Sequence, residues 1–173
     1  MDRVARFFLS IAGLLSFTTT AHAASAPIVP NKNAKAVVKV LPPVALRKLQ
    51  DLNFATLYVT AAGTAVVDPN TDIMTTTGGV TYGSGLAYSA LFEAVSPVKG
   101  VVIIRIPTKP INVTRVGGTE TMTVSNWTLN GASNRVVVAQ EPFQVKVGGT
   151  LTVNNNQAEG AYVGTFDVSI QYP

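Results

Sequence analysis

Between residues 162 and 172 the chain alternates with a period of two. Tyr162, Gly164, Phe166, Val168, Ile170 and Tyr172 fall on one side, and Val163, Thr165, Asp167, Ser169 and Gln171 on the other. Successive side chains of an extended strand point to opposite faces, so this pattern predicts a half-buried antiparallel strand. The same phase runs through Phe143, Val145, Val147, Leu151 and Val153 against Gln144, Lys146, Thr150 and Thr152, and Gly148-Gly149 permits a bend within it. Residues 119–129 hold the phase through Met122 and Val124 and then shift it to Trp127 and Leu129, which predicts a β-bulge near Ser125-Asn126. Residues 52–60, 64–67, 86–95 and 101–106 read as further strands, separated by Pro-Asn, Gly-Gly and Ser-Pro punctuation. From residue 24 onward Val and Thr supply 41 residues, both β-branched and both favoured on a pleated surface. No capped helical pattern of useful length competes, although residues 44–49 and 88–95 are locally ambiguous. The expected fold is all-β, an antiparallel β-sandwich.

The N-terminus reads as an export signal. Arg3 and Arg6 precede an apolar run over residues 7–17, too short for a settled membrane span, and Ala21-His22-Ala23 has small-x-small cleavage chemistry. Residues 1–23 are therefore expected to be removed, with cleavage after Ala26 as the alternative. No later stretch reaches the roughly 18 apolar residues of a spanning helix, so no integral membrane segment is expected after cleavage. The exported chain divides into an N-terminal extension, residues 24–43, and one β-sandwich domain, residues 44–173.

Composition narrows the chemistry. The chain contains no cysteine, and its one histidine, His22, lies in the expected leader. Ser-His-Asp triads, cysteine nucleophiles and His/Cys zinc sites are therefore excluded from the exported form, and the expectation is a protein that is not an enzyme and carries no cofactor. Glu93, Glu120, Glu141, Glu159 and Asp167 would make a glycosidase pair only if folding brought two together. Asp68-Pro-Asn-Thr-Asp72 has oxygen ligands for calcium, but its spacing is that of a turn. Lys32, Lys35, Lys39, Arg47 and Lys48 form a basic cluster without interleaved aromatic residues, which points to polar strand positions and away from nucleic acid. Asn112-Val-Thr114 and Asn126-Trp-Thr128 match glycosylation acceptors, incidental in a bacterial-type exported chain.

In the extension, Ala34, Ala36, Val38 and Val40 alternate with Lys35, Val37 and Lys39 until Pro42-Pro43 stops the pattern. Such a segment is either the domain's own first edge strand or a strand offered to another molecule.

Several blocks carry a resemblance. Gln50-Asp-Leu-Asn-Phe-Ala-Thr-Leu57, Ala62-Gly-Thr-Ala-Val-Val-Asp-Pro-Asn-Thr71, Met122-Thr-Val-Ser-Asn126, Gly148-Gly-Thr-Leu-Thr-Val153, Gln157 and Gly160-Ala-Tyr-Val-Gly-Thr-Phe166 resemble the bacterial secreted domain-of-unknown-function family 4402 over about residues 44–173. The resemblance implies fold and location but no activity. In its first block Ala55 stands where the family's Asn-Phe-Gly form would have glycine.

The C-terminus is also similar to that of chaperone–usher pilins, with Gly160 fourteenth from the end and Tyr172 penultimate. That likeness implies an immunoglobulin-like, pilin-like sandwich lacking its last strand, which the N-terminal extension of the next subunit supplies. Ala34, Ala36, Val38 and Val40 would then be the donated residues. Gly160, Tyr162, Phe166, Val168, Ile170 and Tyr172 would lie in the strand that pairs with a periplasmic chaperone or a neighbour. The partners so implied are like subunits in a head-to-tail homopolymer, a periplasmic chaperone and an outer-membrane usher, at the bacterial cell surface or fimbrium. The alternative is a self-complete secreted or adhesive β-sandwich.

Overall fold

The computed structural model describes Lys35 and residues 37–173; the expected leader, Ala34 and Ala36 lie outside the described residues. The chain divides into two units, Met1–Val38 and Lys39–Pro173, and every described strand lies in the second.

The strands are β1 (Ala45–Gln50), β2 (Asn53–Val67), β3 (Met74–Tyr88), β4 (Ala90–Val95), β5 (Gly100–Arg105), β6 (Ile111–Arg115), β7 (Thr121–Leu129), β8 (Asn134–Val137), β9 (Pro142–Val153), β10 (Tyr162–Val163) and β11 (Ser169–Gln171). All pairings among them are antiparallel. The larger sheet runs β1-β4-β9-β7-β6-β10 and carries β2 and β3 as a branch; the smaller runs β11-β5-β8. The protein is thus an all-β antiparallel sandwich.

Its organising feature is one long hairpin. β1 pairs β4 from Ala45 and Val95 to Gln50 and Leu91, and β2 pairs β3 from Asn53 and Tyr88 to Val67 and Met74, so residues 45–95 form a nearly continuous two-stranded ribbon. Both ends of that ribbon flank β9. β4 pairs its first half, Ala90 opposite Val147, and β2 pairs its second half, Val67 opposite Gly149. Gly148-Gly149, where the sequence permits a bend, is the point at which β9 exchanges one partner for the other. Residues 44–49 and 88–95, ambiguous by periodicity, contribute strands β1 and β4.

One face of β9 carries the core. Val145 and Val147 pack with Ala90, Phe92 and Ile104 under the smaller sheet, while Leu151 and Val153 pack with Ala65, Val80, Met122 and Val124. The expected bulge in β7 is present: its register against β9 shifts between Ser125 and Thr128, and Asn126 takes φ +47°. That extra residue turns Trp127 inward, where it packs against both clusters. On the far side of the smaller sheet, the Arg135 guanidinium donates to the carbonyls of Ala132, Asn130 and Gln144, tying β8 to β9.

The ribbon has a second constrained point. Ala55 sits at φ +57°, in the left-handed region, with its N–H donating to Asn53 Oδ1 at 2.8 Å, at a register shift between Phe54 and Thr56. An L-residue with a Cβ is disfavoured there by about 1–2 kcal/mol, and glycine returns part of that as unfolded-state entropy. Ala55→Gly is therefore expected to stabilise the domain by about 0.5–1 kcal/mol, raising the melting temperature by roughly 2–4 °C. An unchanged or lower melting temperature by calorimetry would contradict this reading of the turn.

One expectation is corrected. Residues 162–172 do not form a single strand: β10 pairs β6 in the larger sheet, β11 pairs β5 in the smaller one, and residues 164–168 cross between them without strand structure. The crossing starts at Gly164, where a Cβ would lie 2.8 Å from the Asn112 carbonyl oxygen and 2.8 Å from Val113 Cγ1. Across this crossing the hydrogen-bond partner of the backbone changes sheet.

Candidate assembly surface

The C-terminal segment is built from its first residue to close two cores with one set of side chains. Gly160 opens it at φ +140°, a conformation that favours glycine, and a Cβ there would press on Arg115 Cδ at 3.1 Å. The Arg115 side chain is held in place by Glu120, with Nε to Oε2 at 2.7 Å and Nη2 to Oε1 at 3.0 Å. The hydrogen bond from Arg115 is the main reason the Glu120 carboxyl is pulled down to about 2. Ala161 O accepts from Val116 N–H at 2.8 Å, and the Tyr162 hydroxyl donates to Ala158 O and accepts from Gln157 Nε2, both at 2.7 Å.

Beyond the crossing, Phe166 packs against Trp127 at 4.7 Å between ring centres with the planes tilted by 41°, and meets Phe92 edge-on at 6.5 Å. Val168 and Ile170 pack into the cluster under the smaller sheet, together with Leu46 of β1. Tyr172 ends the segment with its hydroxyl 3.2 Å from Oγ of Ser96, a fully buried serine that itself donates to Val98 O. Because the Ser96 hydrogen is committed to Val98 O, the Tyr172 hydroxyl is the donor in that pair. The alternation read from the sequence is thus realised at Tyr162, Phe166, Val168, Ile170 and Tyr172, all half-buried, while Val163 faces solvent at 62% exposure. Gly164 is the exception: it is exposed at the crossing.

The segment reaches an edge of each sheet. β10 and β11 each stand at the end of their sheet and, among the described residues, pair on one side, so the segment presents backbone N–H and C=O groups outward at an edge of both sheets. Beside the crossing lies a surface groove of about 360 Å³, lined by Ile106, Pro107, Lys109, Thr165 and Phe166 among others.

The described part of the extension has no regular structure over residues 37–44. Val37, Val38 and Val40 are 86%, 85% and 84% exposed, and Lys35 and Lys39 are also exposed. The domain's first edge strand is instead β1, which begins at Ala45.

The other candidates resolve into local structure. In the Asp68–Asp72 loop, Asp68 Oδ1 accepts from Asn70 N–H at 2.7 Å and Asp68 O accepts from Asp72 N–H at 2.9 Å, the hydrogen bonding of a turn. Asp72 Oδ1 accepts from Ser89 N–H at 3.0 Å and Oγ at 2.5 Å, and Oδ2 accepts from Lys146 Nζ at 2.5 Å. Burial pushes the Asp72 carboxyl up, but the hydrogen bonds from Lys146 and Ser89 outweigh it and hold it below the usual carboxylate range. Both oxygens thus serve to latch the ribbon's turn to β9 and to the start of β4. Of the basic cluster, Arg47 pairs with Glu93 at 3.0 Å and Lys48 with Asp51 at 2.6 Å, as polar positions on and beside β1. Periodicity gave no sign of the Asp72–Ser89–Lys146 latch, because its members are 17 and 74 residues apart.

These features define a class, an antiparallel β-sandwich whose last segment lies along the open edges of both sheets. The chain belongs to the family described as domain of unknown function (DUF4402), whose model matches residues 44–172. Neither curated proteins nor solved structures returned a match.

Proposed function

We propose that this protein is a secreted, non-enzymatic structural subunit of a bacterial surface fibre, immunoglobulin-like and pilin-like, assembled by donor-strand pairing. The observation that carries this reading is the C-terminal segment: its side chains are committed to the core while its backbone edge is open in both sheets. An added strand satisfies such an edge through main-chain hydrogen bonds and alternate side chains. The segment of this chain with the matching pattern is the extension. Ala34, Ala36, Val38 and Val40 would face a neighbour's edge, with Lys35 and Lys39 outward, and Pro42-Pro43 would end the pairing by withholding amide protons. Subunits joined in this way grow head to tail, with a periplasmic chaperone and an outer-membrane usher as the partners of such a pathway.

A second reading, a self-complete secreted or adhesive sandwich, is favoured by the fully buried Val145, Val147 and Val102 and by the absence, among the described residues, of any buried side-chain polar atom without a partner. Size-exclusion chromatography without denaturant separates the two. The chain from residue 24 is expected to give a ladder of multimers that is lost both in a version beginning at Val44 and in Val38→Asp. A truncated form that is an equally stable monomer, from a parent that was already monomeric, would establish the self-complete sandwich instead.

A further inference from the structure

Open strand edges invite pairing, and most edges in this molecule are short or carry charge. β1 carries Arg47 and Lys48, β8 has four residues and includes Arg135, and β10 and β11 have two and three. β3 is different. It has 15 residues, pairs with β2 alone among the described residues, and lies within a stretch, residues 73–92, that contains no charged residue and no proline.

The first part of β3 is also the most regular. Met74–Gly78 pairs with Val67–Gly63 without a register shift, and the same β2 residues pair with Gly149–Val153 of β9. This makes a well-formed three-stranded edge, whereas the outer part of the ribbon is broken by shifts after Phe54, Thr56 and Val59. On the solvent face the cross-strand partners line up in two rows that end at this edge. One row runs Thr123, Thr152, Thr64, Thr77, and the other Ser125, Thr150, Val66, Thr75. Thr64 and Thr77 hydroxyls are 2.7 Å apart, so the first row is hydrogen-bonded as well as aligned where it reaches the edge.

We infer that the Met74–Gly78 edge pairs antiparallel with the same edge of a second copy of this chain, about a two-fold axis at Thr76. That register sets Thr75 of one copy opposite Thr77 of the other, twice, and carries both rows across the interface. A second copy is the occupant the register favours, because the strand is its own complement about Thr76. From residue 24 onward the chain has 11 Lys and Arg against 8 Asp and Glu, and this uncharged strand sets no like charges opposite each other. An antiparallel strand is self-complementary under a two-fold, which closes the assembly at two copies. Exposed Ile73, Tyr82 and Leu86 lie in the same chain segment and add apolar surface. The inference uses neither the extension nor the C-terminal segment and so stands apart from strand donation.

The test is sedimentation equilibrium on the chain from residue 24 carrying Val38→Asp, which removes head-to-tail joining. Dimers are expected, with β3 amides that become protected from hydrogen exchange as concentration rises. Thr75→Lys with Thr77→Lys puts like charges opposite each other and should weaken the dimer on the order of tenfold or more. Thr75→Lys with Thr77→Glu places opposite charges across the same axis and should restore it. Ser133→Lys with Asn155→Lys, exposed changes that add the same two charges elsewhere, should leave it unaltered. Circular dichroism melts confirm that each variant folds. A chain that stays monomeric at its highest soluble concentration, a dimer indifferent to the paired lysines, or failure of the charge swap to restore pairing would overturn the proposal.

Discussion

Replacing Trp127 with alanine is expected to lower the stability of the domain by about 3–5 kcal/mol, the range for removing a large aromatic ring from a core. Against a total of roughly 5–15 kcal/mol, that brings the fold close to its limit. Trp127 packs against both clusters, meets Phe166 at a tilt, and donates from Nε1 to Lys109 O at 3.1 Å. Truncation would leave a void where the two clusters meet, while the exposed Lys109 carbonyl would turn to water. Phe166 would lose the ring that orients it, loosening the crossing between β10 and β11. Trp127→Phe keeps most of the apolar contact and should cost appreciably less. Trp127 is the single tryptophan, so the parent can be followed by fluorescence and the variants by circular dichroism in urea. A loss below about 1 kcal/mol for alanine would mean that the two clusters are independently stable.

Gly148→Ala is expected to destabilise by about 3 kcal/mol, at the upper end for an added methyl in a packed interior, because the crowding is against main chain. A Cβ at Gly148 would lie 2.2 Å from Val67 O, 2.7 Å from Pro69 Cδ and 3.0 Å from Thr128 Oγ1. The two nearest are main chain and a proline ring atom, neither of which can swing aside; only Thr128 Oγ1 can rotate away. The site is where β9 leaves β4 for β2, so relief would require the ribbon's turn to move away from β9 and strain the Asp72–Lys146 contact. Gly149→Ala is the internal control. Its nearest neighbour, Val124 Cγ1 at 3.3 Å, is a side-chain methyl that can shift, and its cost should be about 1 kcal/mol or less. Thermal melts of the two variants should therefore differ clearly. Equal melts would show that β9 tolerates displacement at its change of partner.

How these elements arise divides between sequence and structure along a physical line. Period two in Phe143–Val153 and in residues 162–172 identified which side chains face inward, because burial on one face of a sheet acts residue by residue. The phase shift around Ser125-Asn126 identified the bulge for the same reason, and Gly148-Gly149 marked a bend. Ala55, noticed only as a departure from a family block, proved to sit at a left-handed φ.

Alternation carries no information about which strand lies alongside. It could not reveal that residues 162–172 change sheets midway, since the inward phase is preserved across the crossing while the hydrogen-bond partner is not. Nor could it join residues 45–95 into one ribbon whose two ends both pair β9, or bring Asp72 to Ser89 and Lys146. By itself the sequence determined the all-β class, the inward faces of β7, β9 and the C-terminal segment and the lack of Cys or His side chains outside the expected leader, but it left most of β3, and all of β6 and β8, unmarked. Tertiary structure decided strand partners and therefore which edges stay open, because pairing is a long-range hydrogen-bonding choice made between segments whose local patterns are alike.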